Sequence, residues 1–443
     1  IDEPSGYGIL FDNFLTSLSV ARQLAVSSAK NLSHSIKNTL KKSSESDPYG
    51  TSITRSVKAF YDTLDGISDP RVDGQFGVNV IAMCEKITQQ ANFEPSSAPK
   101  QAWTVLPPHV KPTILVIGGT GFIGKYLVKK LCEKGHGVRV VTRGMSAGNI
   151  GLAGLPVELV QGDIAEAEFM DKALEGIDVV YDLAKASGDK WQDYYQTDVL
   201  VTKNVAERAQ KQGVKQFIYT GTIDSYYSAN ANSVITADTP LDAKMKNRNL
   251  YARSKATCEA LLLDMYKQSN FPVTIFRPGV VIGKGCPPAH WGVGMFQSES
   301  RVQFWGSGEN KLPLVLVEDV AEALVLALDK PNLAGQTFLL TDEPFLSGRD
   351  YVEIVSKTCG TKLRAEPTPI WKFFIIDVFK EGAKNLIKHP NRKVPSYRDW
   401  DSRSHRAQYD SSKTKQVLGW QPAGTKEALI ERGIISAVKE FIK

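Results

Sequence analysis

In the stretch "LYARSKATCEALL", Tyr251 and Lys255 stand four residues apart in a run of helical character, so both project from one helix face. A phenol ordinarily titrates near about 10, too high for a base at neutral pH, but a neighbouring ammonium stabilises the phenolate. The pair is therefore a usable proton donor or acceptor. Spacing alone is weak evidence, because Tyr-x-x-x-Lys also occurs on plain solvated helix faces. Earlier in the chain, "IYTGTIDSYY" carries Thr222 just past an apolar run, where its hydroxyl can reach a carbonyl oxygen.

A second constellation opens at "ILVIGGTGFIGKYL". Four apolar β-formers run into Gly118, Gly121 and Gly124 and then into an apolar pattern of helical spacing. In such a loop the first glycine permits a tight turn, the second lets a pyrophosphate approach the backbone, and the third allows close helix-to-strand packing. The helix N-terminus then turns free N–H groups and a positive dipole end toward phosphate. Gly118, Gly121, Phe122, Ile123 and Gly124 are thus the expected dinucleotide-contacting residues. At the end of the next strand, "VRVV", Thr142 and Arg143 stand where an Asp or Glu would accept hydrogen bonds from the ribose of NAD. The planar fork of Arg143 suits a 2′-phosphate, which favours NADP over NAD; a plain solvated loop arginine is the alternative. Asp163 and Ile164, in "VQGDI", fall where an adenine ring would lie.

The elements that must hold these groups alternate. Strand-like runs at 114–117, 137–142, 157–161, 179–183, 216–219 and 273–276 are separated by helical patterns that include one ending at Gln212 and one starting at Tyr251. Continuous apolar strands alternating with amphipathic helices predict an α/β fold, a doubly wound parallel sheet of the Rossmann type. The division expected is a helical N-terminal extension over 1–103, with its linker at "PSSAPKQAW", and a nucleotide-binding domain over 104–443. That domain would carry a smaller C-terminal substrate lobe at about 284–313 and 341–443.

With 443 residues, 42% hydrophobic and 23% charged, the chain has the composition of a globular protein. A net charge of +6 without a dense Lys/Arg block argues against nucleic acid as the partner. Five cysteines without ligand spacing argue against a disulfide framework and against a metal site, and fit a reducing compartment: cytoplasm, or an organelle stroma or matrix if a transit peptide preceded Ile1. No apolar run is long enough to span a bilayer. From Asn13 to Ser44 there is no acidic residue, and Phe11, Phe14, Leu15, Leu18, Ala25, Leu32, Ile36 and Leu40 recur at helical spacing. Residues 8–42 therefore read as a membrane-surface helix, a docking helix for a protein partner, or a helix packed on its own domain. "PIWKFFIIDVFKEGAKNLIKHPNRK" mixes aromatic and basic residues in the same way, so 370–393 is either a membrane-interface helix or a lid over the substrate cleft.

Taken with "DVVYDLA", "VKQFIYTGT", "FRPGVVIGKG", "VEDVAEAL" and "YDSSKTKQVLGWQP", these motifs give a chain that resembles the extended short-chain dehydrogenase/reductase family, of the epimerase/dehydratase and 3β-hydroxysteroid-dehydrogenase-like type, over about residues 112–443. The resemblance implies Tyr251 as general acid/base, Lys255 as the residue that lowers its pKa and holds the nicotinamide ribose, and Thr222 as the group orienting the substrate oxygen. It also implies that Leu183, Ala184, Tyr219, Pro278 and Val280 line the nicotinamide half of the cofactor. Ile223-Asp224 follows Thr222 where sugar dehydratases have Asp-Glu. Leu312 and Leu316 stand where nucleotide-sugar enzymes often carry Arg and His, and "FRPG" replaces a Phe-Asn pair. These departures point to a small apolar substrate, an alcohol or ketone that exchanges a hydride with NAD(P). The alternatives are a structural nucleotide-binding subunit of a larger, membrane-associated complex and a nucleotide-sugar epimerase.

Overall fold

The computed structural model describes residues 22–23, 26–30, 33, 48–64, 74–90, 106–107, 110–144, 151–298, 301–386, 388 and 392–442. The apolar face expected from Phe11 to Leu40 and the expected linker at 95–103 lie outside the described residues. The chain divides into two compact units, residues 1–100 with 383–392 and residues 101–382 with 393–443. In the first, residues 48–64 and 74–90 form helices α1 (Pro48–Leu64) and α2 (Gly74–Gln90).

In the second unit, β1 (Ile114–Ile117), α3 (Phe122–Glu133), β2 (Val138–Thr142), β3 (Val157–Gln161), α4 (Ala167–Ala173), β4 (Val179–Asp182), α5 (Leu200–Lys211), β5 (Gln216–Thr220), α6 (Leu250–Ser269), β6 (Val273–Pro278), α7 (Val317–Leu326) and β7 (Thr337–Leu340) follow one another. The strands form one seven-stranded sheet in the order β7-β6-β5-β4-β1-β2-β3, every neighbouring pair parallel. This is the expected doubly wound sheet. Strand alternation sorts its side chains. Ile114 and Val116 pack with α3 and α7, whereas Leu115 and Ile117 pack with α4, α5 and α6. At β1 in the middle of the sheet both faces are dry and the strand reads as an unbroken apolar run, whereas β2 and the edge strand β3 carry the partly exposed Arg139–Glu158 pair.

A smaller core lies beyond β6. Strands 294–298, 301–305 and 364–368 form a three-stranded sheet. Val302 and Phe304 from it share a cluster with Val352 of helix α8 (Gly348–Cys359) and with Val438 near the C-terminus. Leu418 and Trp420, within the stretch assigned from sequence to the lobe, pack instead among α3 and α7 under the main sheet.

The register of α6 on the sheet is set by polar contacts at its start and at its middle. Asn249 caps the helix by accepting from the Ala252 N–H at 2.9 Å. Its side-chain amide also donates to Asp224 and Asp399 at 2.9 and 3.0 Å. Two turns further on, the fully buried Glu259 meets Arg277 of β6, with Arg277 Nε and Nη2 donating to Oε2 at 2.9 and 2.8 Å. Arg277 Nη1 donates to Tyr226 Oη and to the Ala237 carbonyl. Removing one partner strands a charge in a dry interior, so Arg277→Met should lower the unfolding free energy by about 3–5 kcal/mol. The double variant Glu259→Leu/Arg277→Met should recover most of that loss in urea unfolding.

Candidate active site

Gly118 has φ of +80°, a backbone conformation that L side chains rarely adopt, and a Cβ there would sit 3.0 Å from the Leu183 carbonyl group. At Gly124 a Cβ would stand 2.1 Å from the Gly118 oxygen, so the start of α3 is pressed against the loop as the third glycine requires. The N-cap Gly121 makes no side-chain hydrogen bond and the first turn of α3 holds no acid. Its free N–H groups are therefore left for an anion. The loop lies where β1 and β4 adjoin, the point at which the strand order reverses.

One cavity of about 370 Å³ joins this loop to the Tyr–Lys helix. Of the residues singled out in the sequence, Gly118, Gly121, Phe122, Ile123, Gly124, Leu183, Ala184, Thr222, Tyr251, Lys255 and Pro278 line it. Tyr219 and Val280 do not line it. The Tyr219 ring is fully buried beneath Lys255, whose Nζ lies 4.8 Å from the ring centroid, and Val280 turns into the lobe core. Val281, one residue on, lines the cavity instead. Sequence alone does not decide between them, because the break at Gly279 hides which face each residue takes. Arg143 and Asp163 are exposed at the ends of their strands, outside the cavity wall, and Ile164 packs partly buried under the sheet. Leu312 and Leu316 are buried in the lobe core.

Tyr251 and Lys255 start α6, and Thr222 meets them from the turn after β5. Thr222 Oγ1 accepts from the Asp224 N–H at 3.1 Å, and its side chain stands beside the Tyr251 phenol. Burial raises the Tyr251 pKa above its ordinary value, while Lys255 and Thr222 pull it back down. Desolvation thus outweighs the lowering expected from the lysine alone. For Lys255, burial acts to lower the pKa, yet the ammonium is held above its ordinary value by Asp198, Tyr251 and Asp182, in that order. Its Nζ donates to the Ala184 carbonyl at 2.7 Å.

The two carboxylates escaped the sequence reading. Asp198 is buried on the π-helical turn that leads into α5 and accepts from Ser254 Oγ at 2.6 Å. Asp182 ends β4 and accepts from the Ala184 N–H at 3.0 Å, and burial pushes its carboxyl up to about 6. An acid ending an otherwise apolar strand, as in "VVYD", was the available signal for Asp182. Lys185 is another addition: it lines the cavity and its Nζ lies 5.2 Å from the Tyr251 ring centroid. Among the described residues no cluster of metal-ligating side chains occurs.

Residues 114–340 match the NAD dependent epimerase/dehydratase family. The chain is 25% identical to a UDP-glucose 4-epimerase of Vibrio cholerae, across 75% of this chain and 96% of that one. It is 24% identical to a decarboxylating sterol-4-alpha-carboxylate 3-dehydrogenase of Mus musculus, across 72% and 90%. In fold it resembles the solved dTDP-glucose 4,6-dehydratase of Bacillus anthracis in complex with NAD, with a TM-score of 0.57 at 18% identity over 75% and 97%. The chain belongs to the NAD dependent epimerase/dehydratase family, and it is an NAD(P)-dependent oxidoreductase of the extended short-chain type.

Anionic neighbours, Asp198 foremost, hold the Lys255 pKa above its ordinary value against burial. Asp198→Asn should therefore lower the Lys255 pKa and shift the alkaline limb of the pH–rate profile downward. An unmoved limb would mean that Asp198 is only a packing residue.

Proposed function

We propose that the protein exchanges a hydride between NADP(H) and the carbinol or carbonyl carbon of a small apolar alcohol or ketone. The observation that carries this reading is the convergence of Thr222, Tyr251 and Lys255 on the same cavity as the glycine loop. When bound, the nicotinamide supplies or accepts the hydride.

The chain's own residues do the rest. The α3 N-terminus with Gly118, Gly121 and Gly124 holds the pyrophosphate. Thr222 fixes the substrate oxygen by hydrogen bonding. The Tyr251 hydroxyl gives its proton to that oxygen as a ketone is reduced, or takes it as an alcohol is oxidised. Lys255 stabilises the phenolate so formed and stands where a nicotinamide ribose would be held. The phenol's raised pKa suits a group that rests protonated at neutral pH and acts as an acid toward a ketone.

Arg143, exposed at the end of β2 with no acid beside it in sequence, supports NADP over NAD. The buried leucines at 312 and 316 support an apolar substrate over a nucleotide sugar, since neither presents a charge to a diphosphate. The sterol dehydrogenase relative is in line with that choice. The epimerase reading draws on the Vibrio cholerae relative, and mass spectrometry of cofactor released from the purified protein separates the two, because retained NAD belongs to an epimerase.

Single-turnover oxidation of bound NADPH with a panel of apolar ketones tests the assignment. Tyr251→Phe removes only a hydroxyl, so it should leave cofactor binding nearly intact and slow turnover by about 100-fold or more. Equal rates would remove Tyr251 from the chemistry. In the same assay, Arg143→Ala should weaken NADPH binding by roughly tenfold and leave NADH unchanged.

A further inference from the structure

Helix α9 (Ile370–Leu386) is amphipathic in an inverted sense. Its inner side is already occupied. Ile370 and Phe373 are buried with Trp305 in a small aromatic core, where the Phe373 and Trp400 rings stack at 5.4 Å. On the same side, Asp377 Oδ2 accepts from Trp400 Nε1 at 3.2 Å, and the buried Glu381 accepts from the Lys393 N–H at 2.6 Å. At about 100° per residue, Trp371, Ile375, Ile376, Val378 and Phe379 fall on the opposite half of the helix. All five are exposed, Phe379 by 75% and Ile376 by 65%. A row of large apolar side chains in water is uncommon on a folded surface and marks an interaction site.

The charges on the helix identify what covers it. Both acids of the segment, Asp377 and Glu381, are spent on inward hydrogen bonds. Lys372 and Lys380 are exposed on the same helix beside the stripe. Lys372 Nζ lies 5.8 Å from the Trp371 ring centroid, so the aromatic and the cation sit together as they do in helices at a headgroup layer. Among the described residues no helix is long and apolar enough to cross a membrane, which leaves lying on a surface as the lipid mode for this helix. A lid over the unit's own cleft would use the inner face, and that face is already packed.

We propose that the outer face of α9 docks on an anionic lipid surface, with Trp371, Ile375, Ile376, Val378 and Phe379 entering the headgroup–acyl boundary and the flanking lysines meeting lipid phosphates. This surface is independent of the hydride-transfer reading. It follows from the helix alone.

Flotation of the full chain with phosphatidylcholine vesicles, with and without phosphatidylglycerol, tests it directly. Binding is expected to the anionic vesicles at low salt and to weaken at about 0.5 M salt, where surface charges are screened. Ile376→Glu/Phe379→Glu alters only exposed positions, so the thermal melt should hold while the bound fraction falls at least about tenfold. Lys372→Gln/Lys380→Gln should cut binding to the anionic vesicles and leave the melt unchanged. The proposal is overturned if wild type stays unbound on anionic vesicles, or if Ile376→Glu/Phe379→Glu binds as well as wild type. It is equally overturned if sedimentation shows those substitutions dissociating a dimer in a protein that ignores lipid, because a second copy then covers the stripe.

Discussion

The buried ion pair between Glu259 and Arg277 is the contact from which the geometry of the site follows. Tyr251, Lys255 and Glu259 are spaced four apart along α6, so fixing the third on β6 fixes the face that carries the other two. The pair also reaches the Thr222 side of the cavity: a Cβ at Gly221 would lie 2.2 Å from Glu259 Oε1, so a side chain there would push on the carboxylate that Arg277 holds. Tyr226 and the Ala237 carbonyl complete the shell around Arg277. Together with Asn249, tied to Asp224 and Asp399 at the helix start, the pair sets the angular position of the helix on which the proposed proton transfer depends.

A buried lysine presents the opposite problem. Water is withdrawn from the Lys255 ammonium, and the protein compensates with carboxylates held nearby, without a direct ion pair among the described contacts. Asp198 is tied by Ser254, the residue next to Lys255 on α6, and Asp182 by the backbone of the loop after β4. Each anion is thus fixed by an element that also lines the cavity. The arrangement keeps a positive charge near the phenol, with one lysine N–H given to the Ala184 carbonyl and the others left for a ribose.

The sheet was legible because its strands are predominantly apolar and bounded by glycine or polar residues, broken mainly by residues that find partners, Arg139 with Glu158 and Arg277 with Glu259, and the structure places β1 to β6 within a residue or two of the expected limits. Four-residue β7 escaped, since "TFLL" is short and its pairing with β6 depends on a long crossover through the lobe. The glycine loop, Thr222, Tyr251 and Lys255 were legible as local spacings. Glu259–Arg277 and Asp198–Ser254 were not, because pairing across sequence distance leaves no periodic trace. Tyr219 and Val280 show the remaining limit: a residue can flank a cavity in sequence and still turn its side chain into the core.

The central claim is that the cavity between the glycine loop and α6 is a hydride-transfer site. Single-turnover reaction with NADPH deuterated on the transferable position of C4, followed by mass spectrometry of the product, tests it most directly. The account predicts deuterium on the carbinol carbon of the reduced ketone. Product formed without label, or label that stays on the nicotinamide throughout turnover, would contradict it.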